Sequence, residues 1–133
     1  MSPNVPLGAA MIHSALLMLM GVALALNVIR RRRSARIGLG DGGDPDLALA
    51  IRVHANFMEN APLAIAAYVL LALAGTSAGF IHALGAVFLA GRVAHAAGLS
   101  QYQGTSLGRV LGAFASNAVL IVAAIRLLIG ALG

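Results

Sequence analysis

Five polar side chains occur at helical spacing inside apolar stretches of this 133-residue chain. Arg52, Asn56 and Glu59 are related by i, i+4 and i+7, so they share one face of a helix. Arg92 and His95 are three residues apart and share a face in a later segment. Guanidinium groups bind carboxylates through paired N–H donors, and a carboxylate accepts from an ammonium group. This set of side chains therefore indicates a binding site for a charged ligand.

The segments that carry these side chains have the composition of a membrane protein. The chain is 60% hydrophobic and 10% charged, and its mean hydropathy is +0.92. A helix that crosses a bilayer needs about 20 mostly apolar residues. No formal charge occurs in residues 2–27, 60–91 or 110–125. We therefore predict an all-α integral membrane protein.

The sequence predicts one membrane domain over residues 1–133, built as a bundle of four transmembrane helices. Asp44 and Pro45 are typical of a helix start, because aspartate caps helix N-termini and proline fits the first turn. Gly108 and Gly112 follow Gly104 at four-residue spacing, which favours close packing between helices in lipid. Ser106 or Thr105 is available to cap the last helix. The helices are predicted at about residues 6–29, 45–74, 80–98 and 106–129.

Five of the nine arginines lie between residues 30 and 36, directly after the first span. A basic run can bind nucleic acid, but beside a membrane span it marks the cytoplasmic side, so we predict no nucleic-acid partner. Cytoplasmic loops are then expected at 30–44 and 99–105, and both termini lie on the non-cytoplasmic side. Residues 38–43 match GxGxxG, but no strand precedes them, so they are interpreted as a turn.

With this topology, Arg52, Glu59, Arg92 and Arg109 all lie near the cytoplasmic side. One interpretation is an ion pair between Arg52 and Glu59, with the other two arginines anchoring helix ends at lipid headgroups. However, three arginines and one glutamate leave an excess of two positive charges in a partly desolvated region, where charges need partners. Arg109 lies at a predicted helix N-terminus, which favours an anion and would shift a thiol toward thiolate. The chain has no cysteine, so such a thiol must belong to a ligand.

Residues 52–62, with the sequence RVHANFMENAP, resemble the helix-2 signature of the MAPEG family. This family comprises the membrane-associated proteins of eicosanoid and glutathione metabolism. Residues 91–95, GRVAH, resemble the end of the family's third helix, and residues 108–109 resemble the start of its fourth. The resemblance implies a MAPEG-like four-helix protomer, a homotrimer, and glutathione bound between neighbouring protomers on the cytoplasmic side.

The resemblance also assigns roles to the polar side chains. It implies that Arg109 is the catalytic residue that polarises the glutathione thiol. We predict no metal site. His54 matches the family's helix-2 histidine, although a packing or hydrogen-bonding role fits it equally well. The predicted glutathione contacts are Arg52, Asn56, Glu59, Arg92, His54, His95 and Tyr102.

Three functional hypotheses remain open. The first is a glutathione transferase or peroxidase that uses glutathione as cosubstrate and takes a lipophilic acceptor from the surrounding lipids. The second is a noncatalytic glutathione-binding protein, because Leu99 stands seven residues after Arg92, where transferases of the family commonly place a tyrosine. The third is a small four-helix transporter using Glu59, which the nearby arginines and the lack of tryptophan oppose. The alanine-rich, lysine-free composition fits a bacterial protein, and we predict the inner membrane.

Overall fold

The computed structural model describes residues 4–101 and 107–133, which form four α-helices. All four helices are long and apolar enough to cross a membrane. This confirms the predicted all-α membrane fold with four spans. The helices are α1 Asn4–Ala35, α2 Pro45–Leu73, α3 Ala78–Gln101 and α4 Leu107–Leu132.

The first helix is longer than predicted. It continues through the arginine run to Ala35, so the predicted loop at 30–44 is wrong for its first six residues. Arginine is a good helix former, and cations in the last turn interact favourably with the helix dipole. The helix stops where Arg36 takes a left-handed conformation with φ 57°. The third helix similarly extends to Gln101, so the predicted loop at 99–105 begins too early.

The connection from α1 to α2 has the predicted turn chemistry. Gly40, Gly42 and Gly43 have φ of 67°, 60° and 80°, a region that glycine enters without a steric penalty. The carboxylate of Asp44 then accepts hydrogen bonds from the backbone N–H groups of Asp46 at 2.9 Å and of Leu47 at 3.2 Å. The glycine turn and the Asp44 cap are both confirmed. The alternative caps predicted for the last helix, Thr105 and Ser106, lie outside the described residues.

Helices α1 and α4 each contact both α2 and α3. Large apolar side chains such as Tyr68, Phe88, Leu17 and Ile81 are fully buried between the helices. Leucine, isoleucine and valine side chains also cover much of the outer surface. This arrangement suits a bundle whose exterior faces lipid rather than water.

Helices α3 and α4 approach each other closely through glycine. A Cβ atom added at Gly112 would lie 2.8 Å from the backbone nitrogen of His95, and one added at Gly108 would lie 3.0 Å from the carbonyl oxygen of Ala94. The predicted helix contact is therefore confirmed for Gly108 and Gly112, while Gly104 lies outside the described residues. The absence of side chains brings the start of α4 against the end of α3.

We predict that Gly112→Ala destabilises the bundle by about 1–3 kcal/mol, because the added methyl group would meet backbone atoms that cannot move alone. Gly79→Ala is the matched control, because a Cβ at Gly79 meets nothing within 4 Å. Thermal unfolding in detergent measures both variants. A Gly112→Ala midpoint equal to that of Gly79→Ala would contradict close packing at this point.

Candidate functional site

A buried arginine lies between α2 and α3. The Arg92 side chain is only 2% exposed, and its Nη2 donates a hydrogen bond to the side-chain oxygen Oδ1 of Asn56. Its Nε has no partner among the residues that the structure describes. Glu59 is near enough for a favourable charge interaction with Arg92. The cation is thus held by a neutral amide, with the carboxylate at a greater distance.

The other charged groups of this face of α2 remain accessible. Nη1 of Arg52 lies 4.0 Å from Oε1 of Glu59, at the outer limit of an ion pair. The two side chains are 65% and 55% exposed. An exposed pair with this geometry contributes little to stability. The ion pair of the alternative interpretation is therefore present at its distance limit, but it leaves both groups available to a ligand.

A second polar link joins α3 to the start of α4. The buried His95 donates from Nδ1 to the backbone carbonyl of Arg109 at 3.0 Å, since a carbonyl can only accept. The positive charges of Arg92 and Arg109 both lie within interaction range of the His95 ring. Arg109 itself is half-buried in the first turn of α4. The structure therefore groups Arg92, His95 and Arg109 at the end of the bundle where α2 begins.

The family model of the MAPEG family matches residues 10–129. The chain belongs to the MAPEG family. It is similar to two relatives named Inner membrane protein YecN, from Escherichia coli strain K12 and from Escherichia coli O6:H1. Each is 34% identical over 84 residues, which cover 63% of this chain and 64% of the relative. The match thus spans just under two thirds of the relatives' own length.

One predicted site residue of this MAPEG protein, His54, does not join that group. His54 is half-buried and lines an apolar groove between α1 and α2. Tyr102 lies outside the described residues. Leu99 falls in the last turn of α3. Glutathione contacts by His54 and Tyr102 remain predictions.

The groove beside His54 has a volume of about 370 Å³. Its walls include Met18 and Gly21 of α1 and Phe57 and Met58 of α2. Gly21 leaves room above Phe57, because a Cβ there would lie 3.2 Å from Cε1 of the ring. The groove can receive an apolar molecule from the bilayer, and its lining residues Phe57 and Met58 lie between Asn56 and Glu59 in the sequence of α2.

A separate polar cluster near the opposite end of the bundle was missed in the sequence. Nε2 of the buried His13 lies 3.1 Å from Nδ1 of His82, and its ring meets the edge of the buried Tyr68 at a centroid distance of 6.1 Å. The ring of His13 fills the space beside Gly85, where a Cβ would collide with it. Histidines in spans that lack formal charge were the available signal. This hydrogen bond links α1 to α3, while the arginine group links α2, α3 and α4.

We predict that Asn56→Ala lowers the free energy of unfolding by about 1–3 kcal/mol in detergent without ligand, because the buried Arg92 guanidinium loses its bonded acceptor. Asn60→Ala is the matched control. Its amide donates to the backbone oxygen of Asn56 at 3.0 Å, where the helix already provides an acceptor bond. Urea or thermal unfolding measures the stability of both variants. An equal decrease in the free energy of unfolding would contradict a stabilising role for the hydrogen bond between Asn56 and Arg92.

Proposed function

We propose that this MAPEG protein binds glutathione at the group formed by Arg52, Asn56, Glu59, Arg92 and Arg109. The observation that carries the proposal is the buried Arg92, whose hydrogen-bond acceptor among the described residues is a neutral amide, that of Asn56. Three arginines and one glutamate leave two positive charges in excess. Glutathione has two carboxylates and one ammonium group, so its charges complement this set.

In this proposal the exposed groups contact the ligand and the buried group positions them. Arg52 binds a glutathione carboxylate through its paired N–H donors, and Glu59 accepts from the ammonium group. The Asn56 amide hydrogen-bonds a peptide group of the ligand. Arg92 is almost fully buried, so its main contribution is to orient Asn56 and to supply positive charge behind it.

The chemistry follows from the position of Arg109. Its guanidinium stands in the first turn of α4, where the helix dipole adds to its positive charge. Both favour the thiolate of bound glutathione over the thiol. The thiolate sulfur then forms a bond to an electrophilic carbon of a lipophilic acceptor, which loses a leaving group or gains a proton. The groove between α1 and α2 offers a route for such an acceptor from the bilayer.

The proposed location is a bacterial inner membrane, with the site on the cytoplasmic side. The name of the relatives, Inner membrane protein YecN, supports the membrane assignment. The arginine run at the end of α1 supports the orientation, because arginine beside a span is enriched on the cytoplasmic side.

A second candidate function is glutathione binding without efficient turnover. Leu99 favours it, because the side chain at this position has no hydroxyl group to assist the thiolate. Glutathione binding then depends on Arg52, Asn56 and Glu59 and does not require a tyrosine at position 99. Measured turnover therefore separates the two candidates, whereas binding is common to both.

We predict that millimolar glutathione raises the thermal midpoint of the detergent-purified protein, since a ligand that binds only the folded state stabilises it. Arg52→Gln should abolish this shift. Arg109→Gln should retain part of the shift but lose the ultraviolet thiolate absorbance of bound glutathione. Arg126→Gln, which removes the same charge near the end of α4, is the control and should behave as wild type.

A wild-type protein that glutathione does not stabilise would refute the proposed ligand. Stabilisation with no turnover of several electrophiles or hydroperoxides would support the noncatalytic candidate. Thiolate absorbance that survives in Arg109→Gln would refute the role assigned to that residue. These outcomes use one preparation of each variant and differ in their readouts.

We also propose that the working unit is a homotrimer. Arg52 and Glu59 are mostly exposed on a single protomer, although they belong to a helix that spans the membrane. Charged groups at membrane depth face protein or a water-filled cavity rather than lipid. We predict that native mass spectrometry detects three copies of the 13.4 kDa chain, and that a folded monomer alone would contradict the proposal.

A further inference from the structure

An exposed stripe on α1 runs from apolar to basic along one helix face. Val22, Leu26 and Ile29 are exposed on a helix face that continues to the exposed Arg33, and Arg36, also exposed, follows directly after the helix ends at Ala35. The apolar part lies within the membrane span, and the basic part lies at its end. The stripe therefore passes from hydrocarbon depth to the level of the lipid headgroups.

The arginines of the run differ in what they bind. Arg30 donates to the side chain of Asn27 at 3.1 Å, Arg31 pairs with Asp46 at 3.3 Å, and Arg32 donates to the carbonyl of Gly40 at 2.7 Å. Within residues 4–101 and 107–133, the side chains of Arg33 and Arg36 make no such bond. The described part of the chain thus leaves the hydrogen-bonding capacity of two of the five guanidinium groups unused.

A concave surface lies between these two side chains. It has a volume of about 310 Å³ and an apolar floor to which Ile29 and Ile37 contribute. Arg32, Arg33 and Arg36 border it, together with Gly38. The left-handed backbone at Arg36 ends α1 and turns the chain so that Ile37 closes one side. An apolar floor with a basic rim suits a ligand that is both anionic and apolar.

We propose that this surface binds an anionic phospholipid. The phosphate accepts hydrogen bonds from Arg33 and Arg36, and an acyl chain lies along Val22, Leu26 and Ile29. A free phosphate ion would leave the apolar stripe unused. A second copy of the chain seated on this surface through its own stripe would place like charges against Arg33 and Arg36, because five of the nine arginines are concentrated here. Anionic lipid matches both the charge and the apolar stripe.

The binding test uses delipidated protein in neutral detergent, titrated with phosphatidylglycerol or with phosphatidylcholine of identical acyl chains. Native mass spectrometry counts the bound lipids. We expect the protein to retain phosphatidylglycerol in preference. Arg33→Gln and Arg36→Gln should each weaken its binding about fivefold, and the double variant about 30-fold.

Arg30→Gln is the matched control, because it removes one charge from the same run while Arg30 is already bonded to Asn27. It should weaken phosphatidylglycerol binding less than twofold. A loss as large as that of Arg33→Gln would show that the lipid responds to the total charge of the arginine run and not to a specific site, which would overturn the proposal. Equal binding of the two lipids would overturn the proposal. So would competition by inorganic phosphate at the affinity of the lipid.

A second copy of the chain is the remaining alternative occupant. If the Arg33→Gln, Arg36→Gln double variant loses its oligomeric mass at constant lipid, the stripe is a contact between protomers and the proposal is wrong. Unchanged mass with weakened phosphatidylglycerol binding supports the lipid. Glutathione stabilisation, measured on the same double variant, should be unchanged, so this result is independent of the proposed glutathione site.

Discussion

The hydrogen bond from Arg92 to Asn56 is the interaction on which the polar end of the bundle depends. A cation removed from water needs a bonded acceptor, and in a membrane protein such a group is placed against protein and away from lipid. This requirement specifies which face of α3 meets which face of α2. Once the two helices are in this register, Glu59 comes near the guanidinium, while Arg52 remains at the surface.

Close packing of α3 against α4 makes the same end of the bundle continuous. Gly108 and Gly112 allow the two backbones to approach, and His95 then reaches the carbonyl of Arg109. That bond fixes the ring, because only Nδ1–H can donate to a carbonyl in this geometry. The start of α4 is thereby held beside Arg92. The glycine contacts between α3 and α4 and the hydrogen bonds Arg92–Asn56 and His95–Arg109 thus act together to position Arg109.

Much of the fold was predictable from the sequence, because its signals are local. Charge-free windows identified the spans, and the spacing of Arg52, Asn56 and Glu59 placed them on one face before any packing was known. The helix cap at Asp44 was equally predictable, since its hydrogen bonds go to residues only two and three positions away in the sequence. The predicted end of α1 is too early. The arginine run indicates where the membrane span ends, but arginine favours helix, so the helix itself continues.

What could not be predicted depends on contacts between distant segments. Spacing showed that Arg92 and His95 share a face, but it could not show that one binds Asn56 and the other a backbone carbonyl of α4. The bond between His13 and His82 likewise joins residues far apart in sequence. In a membrane-spanning chain an unpaired buried polar group costs free energy, so the bonds that Arg92 and His95 make to other helices favour one arrangement of the helices. The polar residues and the close glycine contacts therefore specify how the helices pair, whereas the large apolar residues, which fit lipid and protein alike, specify mainly that helices cross the membrane.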